Sequence, residues 1–335
     1  MNSRLARAEV ASEGGRPQPR PGSTASPLRI WLALGTVYLL WGSTYLGIKY
    51  AIATIPPLLM GSARFLVAGA VLYALAIRQG DAGRDRLGAP QWLAALLIGG
   101  AMLVGGNGGV ILAEQTIPSG VVALLVATAP LWMAIIDRLI FGRRLPGLGI
   151  LGLVIGFGGV AFLIGSPGSG RMNLGGAALG LAAPLCWAAG SVFTRHVKLP
   201  TRPLVASSLE MLCAGGLFFI AGVLAGELGR LHWQAISTQS ILAVVYLITF
   251  GSLVGFTAYV WLLRSAPLSL VSTYAYVNPV VAVLLGTLFL HEALSPRTVI
   301  AGGIIVTAVA LIVIARQRAL QVRVAPVPPV APVRR

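Results

Sequence analysis

Ten runs of about twenty apolar residues, separated by short polar turns, occupy most of the chain, at approximately 30–50, 57–77, 91–112, 118–139, 147–165, 174–194, 204–225, 239–262, 267–290 and 297–315. A run of that length, once helical, matches a bilayer core of roughly 30 Å, where lipid leaves the backbone to satisfy its own polar groups. The pattern predicts an all-α integral membrane protein of ten transmembrane helices. The turns are too short to cover so much apolar surface in water, which argues against a soluble helical core.

The pattern also repeats. LLWGSTYLGIK around Trp41 returns in kind as PLCWAAGSVFTR around Trp187, 146 positions later. At the same offset Pro57, Leu58, Ser62, Leu66, Ala68 and Gly69 meet their own residue types at Pro203, Leu204, Ser208, Leu212, Ala214 and Gly215. After a small slip Pro118, Val122 and Pro130 fall on Pro267, Val271 and Pro279. A nearly constant offset across four segments marks an internal duplication. The reading is a five-helix repeat at 29–165 and a second at 174–315, flanked by a disordered cytoplasmic arm (1–28) and tail (316–335). Five is odd, so the second copy enters the membrane from the opposite side and the repeats are inverted.

Composition supports the membrane assignment: 56% of residues are hydrophobic, 10% are charged and the mean hydropathy is +0.85. Charge placement orients the chain. With the N-terminus inside, 20 of the 25 basic residues lie on the cytoplasmic side. Only Lys49, Arg171, Arg230 and Arg297 lie outside, and Arg64 is intramembrane, so the topology reads N-in and C-in. Arginine-rich loops beside anionic lipid explain the net charge of +16 without nucleic acid. The first apolar run has full length and no small-residue cleavage pattern, which suits a signal anchor.

Inverted five-helix repeats suit a transporter, because two copies can alternate in exposing one central site. No G-x-x-x-x-G-K-[ST] phosphate loop occurs, so ATP hydrolysis is not expected, and no cofactor is expected. His196, His232 and His291 sit at separate helix ends and suggest no metal site. Cys186 and Cys213 read as small core residues. GFGG at Gly156 lies in an apolar helix and reads as close packing, like the glycines at 99, 100, 105, 106, 108, 109, 152, 158 and 159.

LLWGSTYLGIK on the first helix, RF in the second, the Pro130 and Pro279 helices, HEAL at Glu292 and STYAYVNPVVAVLLGTLFL from Ser272 resemble the EamA-type drug/metabolite transporters, closest to their YedA-like branch. The resemblance covers about residues 29–315. It implies movement of small metabolites, amino acids or drug-like compounds, mostly outward. One position departs from it: the acidic residue that many members carry after their fourth helix corresponds here to Arg143, while Glu292 is kept in the second half.

Polar groups at membrane depth are costly unless satisfied, and so they are the first functional candidates. Arg64 lies roughly 10 Å below the outer surface and its repeat partner Glu210 roughly 10 Å above the inner one, too far apart for a direct ion pair. Arg64 is expected to attract an anionic substrate group or order an outer gate, and Glu210 to bind a cationic group or coupling proton. Trp41, Ser43, Thr44 and Tyr45 of helix one, Asn107 of helix three, Trp187 and Ser191 of helix six, and Tyr274, Tyr276 and Asn278 before Pro279 complete the candidate pocket lining. A mid-helix proline frees a carbonyl that needs a partner or faces a ligand. Lys49 and Arg195 read as snorkelling anchors, and Glu114 and Glu292 as a solvated outer rim.

Two other classes are weighed. A lipid-modifying membrane enzyme needs clustered acid, base or metal ligands, whereas the nine acidic residues are dispersed. A passive channel needs a continuous polar lining. The expectation is a secondary carrier in the inner membrane, working around a midplane pocket and contacting substrate and lipid, with a homodimer optional.

Overall fold

A computed structural model describes residues 26–78, 87–142, 147–164, 173–266, 268–271 and 273–324. Of the expected arms at 1–28 and 316–335, positions 1–25 and 325–335 lie outside these residues, as does Arg143, while Pro27 and Leu28 already belong to the first helix. Among those described the secondary structure is helical, and nine helices are long and apolar enough to cross a membrane. They are α1 (Pro27–Ala51), α2 (Pro57–Arg78), α3 (Ala89–Ala113), α4 (Ser119–Phe141), α5 (Gly147–Ile164), α6 (Leu174–Phe193), α7 (Pro203–Leu224), α8 (Thr238–Leu262) and α10, whose apolar part is Pro296–Ala315. Between the last two, α9 (Tyr274–Leu290) is shorter, because the ninth apolar run is split into a single turn, Leu268–Val271, and the helix after Thr273. The last helix continues to Val324, so positions 316–324, expected in the tail, are helical.

The boundaries follow local chemistry. Proline opens α2, α7 and α10 and occupies the first turn of α1, α3 and the second part of α4, where its missing N–H costs nothing. Left-handed residues close α4 at Gly142 (φ 62°) and α9 at His291 (φ 52°).

Two helices share an irregularity at the same repeat offset. Gly100–Asn107 of α3 and Leu247–Val254 of α8 are π-helical, eight residues each and 147 positions apart. The α3 segment packs on α6 and α7, and the α8 segment on α1 and α2. A second irregularity recurs too: α4 is interrupted at Ala127–Thr128, and Thr273 stands between the single turn Leu268–Val271 and α9.

The packing maps onto itself when each helix is exchanged for the one five places along. α1 packs on α8 and α9, and α6 packs on α3 and α4. The pairs α2–α7, α4–α9 and α5–α10 are each their own image, and α3–α7 is matched by α2–α8. At the centre of α2–α7 the contact is reciprocal. A Cβ on Gly69 would lie 2.9 Å from the Leu212 backbone nitrogen, and one on Gly215 would lie 2.7 Å from the Leu66 nitrogen. Phe65 and Phe218 stack alongside at 5.8 Å between centroids. In α5, Gly152 and Gly159 seat Ile312 and Ile304 of α10, and Gly156 seats Leu131 of α4. Gly158, expected in the same seam, faces open space instead. Leu32, Leu39, Leu139, Val154, Leu284 and Leu288 are exposed, an apolar outer surface suited to lipid.

Candidate functional site

Three of the four irregular helices, α4, α8 and α9, converge on α1. Trp41 sits against the wide turn of α8, where a Cβ on Gly255 would come 2.6 Å from the indole Nε1. Its ring meets Phe256 at 5.6 Å, Tyr259 at 5.0 Å and Tyr274 at 5.3 Å, and Tyr259 meets Tyr274 at 5.8 Å. Four aromatic rings from α1, α8 and α9 thus form one wall. The repeat-related helices make the corresponding contact, with Gly106 of α3 seating the Trp187 ring at 3.2 Å.

Beside the wall, the guanidinium of Arg64 enters from α2, 3% exposed. Its Nε donates to Ser252 Oγ in the α8 wide turn at 3.2 Å, and its Cζ lies 4.9 Å from the Phe65 ring centroid. Gly251, next to Ser252, lets Thr44 and Arg64 approach the α8 backbone. Arg64 Nη1 is buried and has no hydrogen-bond partner. Neither has Oδ1 of Asn278, whose backbone lies against Gly42 of α1. A donor and an acceptor thus flank α1, each with unused capacity in an apolar setting, where an unmade bond is costly.

The other expected residues divide. Tyr45 is buried on α1, and Tyr276 is partly buried on α9. The hydroxyls of Ser43 and Thr44 are already committed: Ser43 Oγ donates to the Leu39 carbonyl at 2.6 Å and lies 2.5 Å from the Tyr246 hydroxyl, while Thr44 donates to the Trp41 carbonyl at 2.6 Å. The carbonyl bonds lie within α1, and the Ser43–Tyr246 contact ties α1 to α8. Asn107, Trp187, Ser191 and Glu210 belong to a second group, on α3, α6 and α7. Asn107 ends the α3 wide turn, Ser191 contacts Met102 Sδ at 4.0 Å, and the Glu210 backbone carbonyl lies against Gly99. No hydrogen bond or ion pair joins Arg64 to Glu210 among the described residues.

The outer rim departs from expectation. Glu114, the first residue past the α3 span, is 0% exposed and not solvated, with the Lys49 side chain of α1 lying against its carbonyl. Both carboxylate oxygens lack a hydrogen-bond partner. Burial pushes its carboxyl well above the usual carboxylate range, Lys49 pulls it back, Glu292 adds to the rise and Arg64 opposes it. Lys49 does not snorkel outward: its Nζ donates to the Glu114 carbonyl and, at 3.5 Å, to that of Ile117. Glu292 accepts from the backbone nitrogens of Ser119 at 2.7 Å and Gly120 at 3.1 Å, capping α4. Glu227, not singled out in the sequence, caps α2 through the nitrogens of Leu58 at 3.0 Å and Leu59 at 2.9 Å. Phe256, Tyr259 and Ser252 were also missed: they become neighbours of Trp41 and Arg64 only once α8 folds against α1 and α2. The described residues hold no cluster of three or more metal-ligating side chains.

The EamA-like transporter family model matches twice, over residues 28–165 and 174–314. The chain belongs to the EamA-like transporter family. This EamA-like chain is 40% identical over 291 residues to the uncharacterized inner membrane transporter YedA of Escherichia coli strain K12, covering 86% of this chain and 92% of that one. It is 26% identical over 285 residues to the uncharacterized transporter YvbV of Bacillus subtilis strain 168, covering 85% and 91%. A solved crystal structure with 22% identity superposes with a TM-score of 0.60, covering 88% of this chain and all of the other, and shares the fold. The EamA-like chain is a multi-pass inner-membrane protein with a transporter's role, and the names of the family and its relatives are those of transporters, not enzymes.

Proposed function

We propose that the chain is a secondary carrier that exports small amphipathic metabolites, amino acids or drug-like compounds among them, by alternating access around a pocket bordered by α1, α2, α8 and α9. The observation that carries this reading is the unpaired buried Nη1 of Arg64 beside the Trp41–Tyr259–Tyr274 wall. A guanidinium held by one bond to Ser252 has donors left for a carboxylate, and aromatic faces receive an apolar or cationic portion of the same small molecule. Wide turns in α3 and α8 supply backbone that is already irregular where a pocket has to change shape, as π segments at functional sites do. Orientation with both termini in the cytoplasm follows from the arginine distribution.

Proteoliposomes loaded with unlabelled amino acids or small organic cations test it. A carrier gives saturable entry of labelled compound, accelerated by unlabelled substrate on the far side. Arg64→Ala is expected to reduce entry of carboxylate-bearing substrates at least about tenfold, the loss of one charge-assisted hydrogen bond. Flux that is linear in concentration and shows no acceleration rejects the carrier reading.

A further inference from the structure

Glu114 is the buried charge that neither packing nor capping explains. Glu227 and Glu292 each satisfy a helix N-terminus, whereas Glu114 is fully covered and its two oxygens accept nothing. A carboxylate left dry and unbonded is strongly disfavoured, so a group in this setting is held as the neutral acid or waits for a partner. The groups facing it are Lys49 and Tyr45 from α1, Arg64 from α2 and Glu292 from the α9–α10 turn. A metal cation does not suit a carboxylate flanked by two fixed cations. A proton does.

We propose that Glu114 is the coupling site of the carrier, a carboxyl that takes up one proton per transport cycle at the end of the pocket where α1, α3, α4 and α9 meet. The inference rests on the carrier reading above and names its driving ion. In the conformation seen, Lys49 spends its ammonium on the carbonyls of Glu114 and Ile117 and leaves the Glu114 side chain alone, as a neutral carboxylic acid permits. When the O–H bond breaks and the proton leaves to water, the resulting carboxylate draws the Lys49 ammonium from those carbonyls. That exchange loosens the tie between α1 and the α3–α4 turn, and reprotonation restores it. A crevice lined by Pro118, Gly120 and Glu292 lies at the same end. Arg64 feels the Glu114 charge directly, which links proton occupancy to the substrate site.

The test uses full-length protein in liposomes with two readouts. Infrared difference spectra across a pH titration report the protonated carboxyl band without requiring transport, and labelled amino-acid accumulation with a trapped pH dye reports coupling. Coupling of one proton per substrate lets a gradient of one pH unit sustain up to about tenfold accumulation. Glu114→Gln is expected to remove a protonated-carboxyl band at neutral pH, abolish gradient-driven accumulation and the dye signal, and keep substrate-for-substrate exchange. Lys49→Gln, which leaves the carboxyl in place, is expected to move the midpoint of that band to higher pH, because the acid form loses its nearby cationic competitor. An unchanged band in Glu114→Gln, an unmoved midpoint in Lys49→Gln, or wild-type accumulation in Glu114→Gln overturns the assignment of Glu114 alone. Absence of saturable flux and exchange in the wild-type protein overturns the carrier reading, and the coupling role with it, whatever the infrared band shows.

Discussion

Glu227 accepts bonds from two amides at the start of α2, while Glu114, just as buried, accepts none. The first is structural. Replacing it by alanine leaves two N-terminal amides of α2 unpaired, and the expected loss is about 1–3 kcal/mol of stability, read as a lower unfolding midpoint in detergent with substrate affinity retained. Arg64→Lys is expected to behave differently, keeping the charge and the fold while losing the planar donor set that reaches Ser252 and a ligand together, so that apparent affinity falls and the unfolding midpoint stays within error. The sequence already marked Arg64 as a charge at membrane depth. It did not separate Glu114 from a solvated rim, because a glutamate one residue past a helix end reads the same whether the following turn points out or folds under its neighbours. Ser43 and Thr44 show the converse: a hydroxyl in a helix bonds back to a carbonyl three or four residues earlier as readily as it faces a pocket.

Among the elements, α2 and α7 approach closely from both sides, and the glycines that allow it were visible as matched positions in the repeat. A leucine at Gly215 must displace the Leu66 backbone, so Gly215→Leu is expected to cost about 1–3 kcal/mol or more, and Gly69→Leu a similar amount through Leu212, each measured as a lower unfolding midpoint. Gly158→Leu, facing open space, is expected to leave that midpoint unchanged. The π segments were not legible, since a wide turn differs from an α-turn in hydrogen-bond register and hardly in residue preference. GAMLVGGN is glycine-rich, but LITFGSLV, its counterpart, carries a single glycine. Deleting Phe250 gives α8 the chance to close into a regular helix with both flanks in register. The expected product is a folded protein whose transport is lost because Ser252 no longer presents its hydroxyl to Arg64.

For the whole molecule, periodicity was enough to read the apolar helices and the recurrence of their pattern, because hydropathy is integrated over long segments and tolerates local error, while arginine placement supplies an expected direction. The shortened ninth helix escaped because an apolar run keeps its hydropathy when its backbone breaks. Orientation is open to a direct check. Trp233, 77% exposed in the α7–α8 connection, lies outside the cell if both termini are cytoplasmic. A Trp233→Cys variant, with Cys186 and Cys213 replaced by alanine, is expected to react with an impermeant maleimide on intact cells, and labelling only after lysis reverses the topology.

The reciprocal contact of Gly69 on Leu212 and Gly215 on Leu66 has the form of an interface between two copies of one surface related by a twofold axis. A single five-helix unit bearing such a surface would be able to assemble with a second copy of itself, and fusing the two copies would make that assembly permanent. The wide turns at the same offset in α3 and α8 fit a feature present before the copies were joined. Arginine at position 64 and glutamate at its counterpart 210 mark how far the two halves differ now.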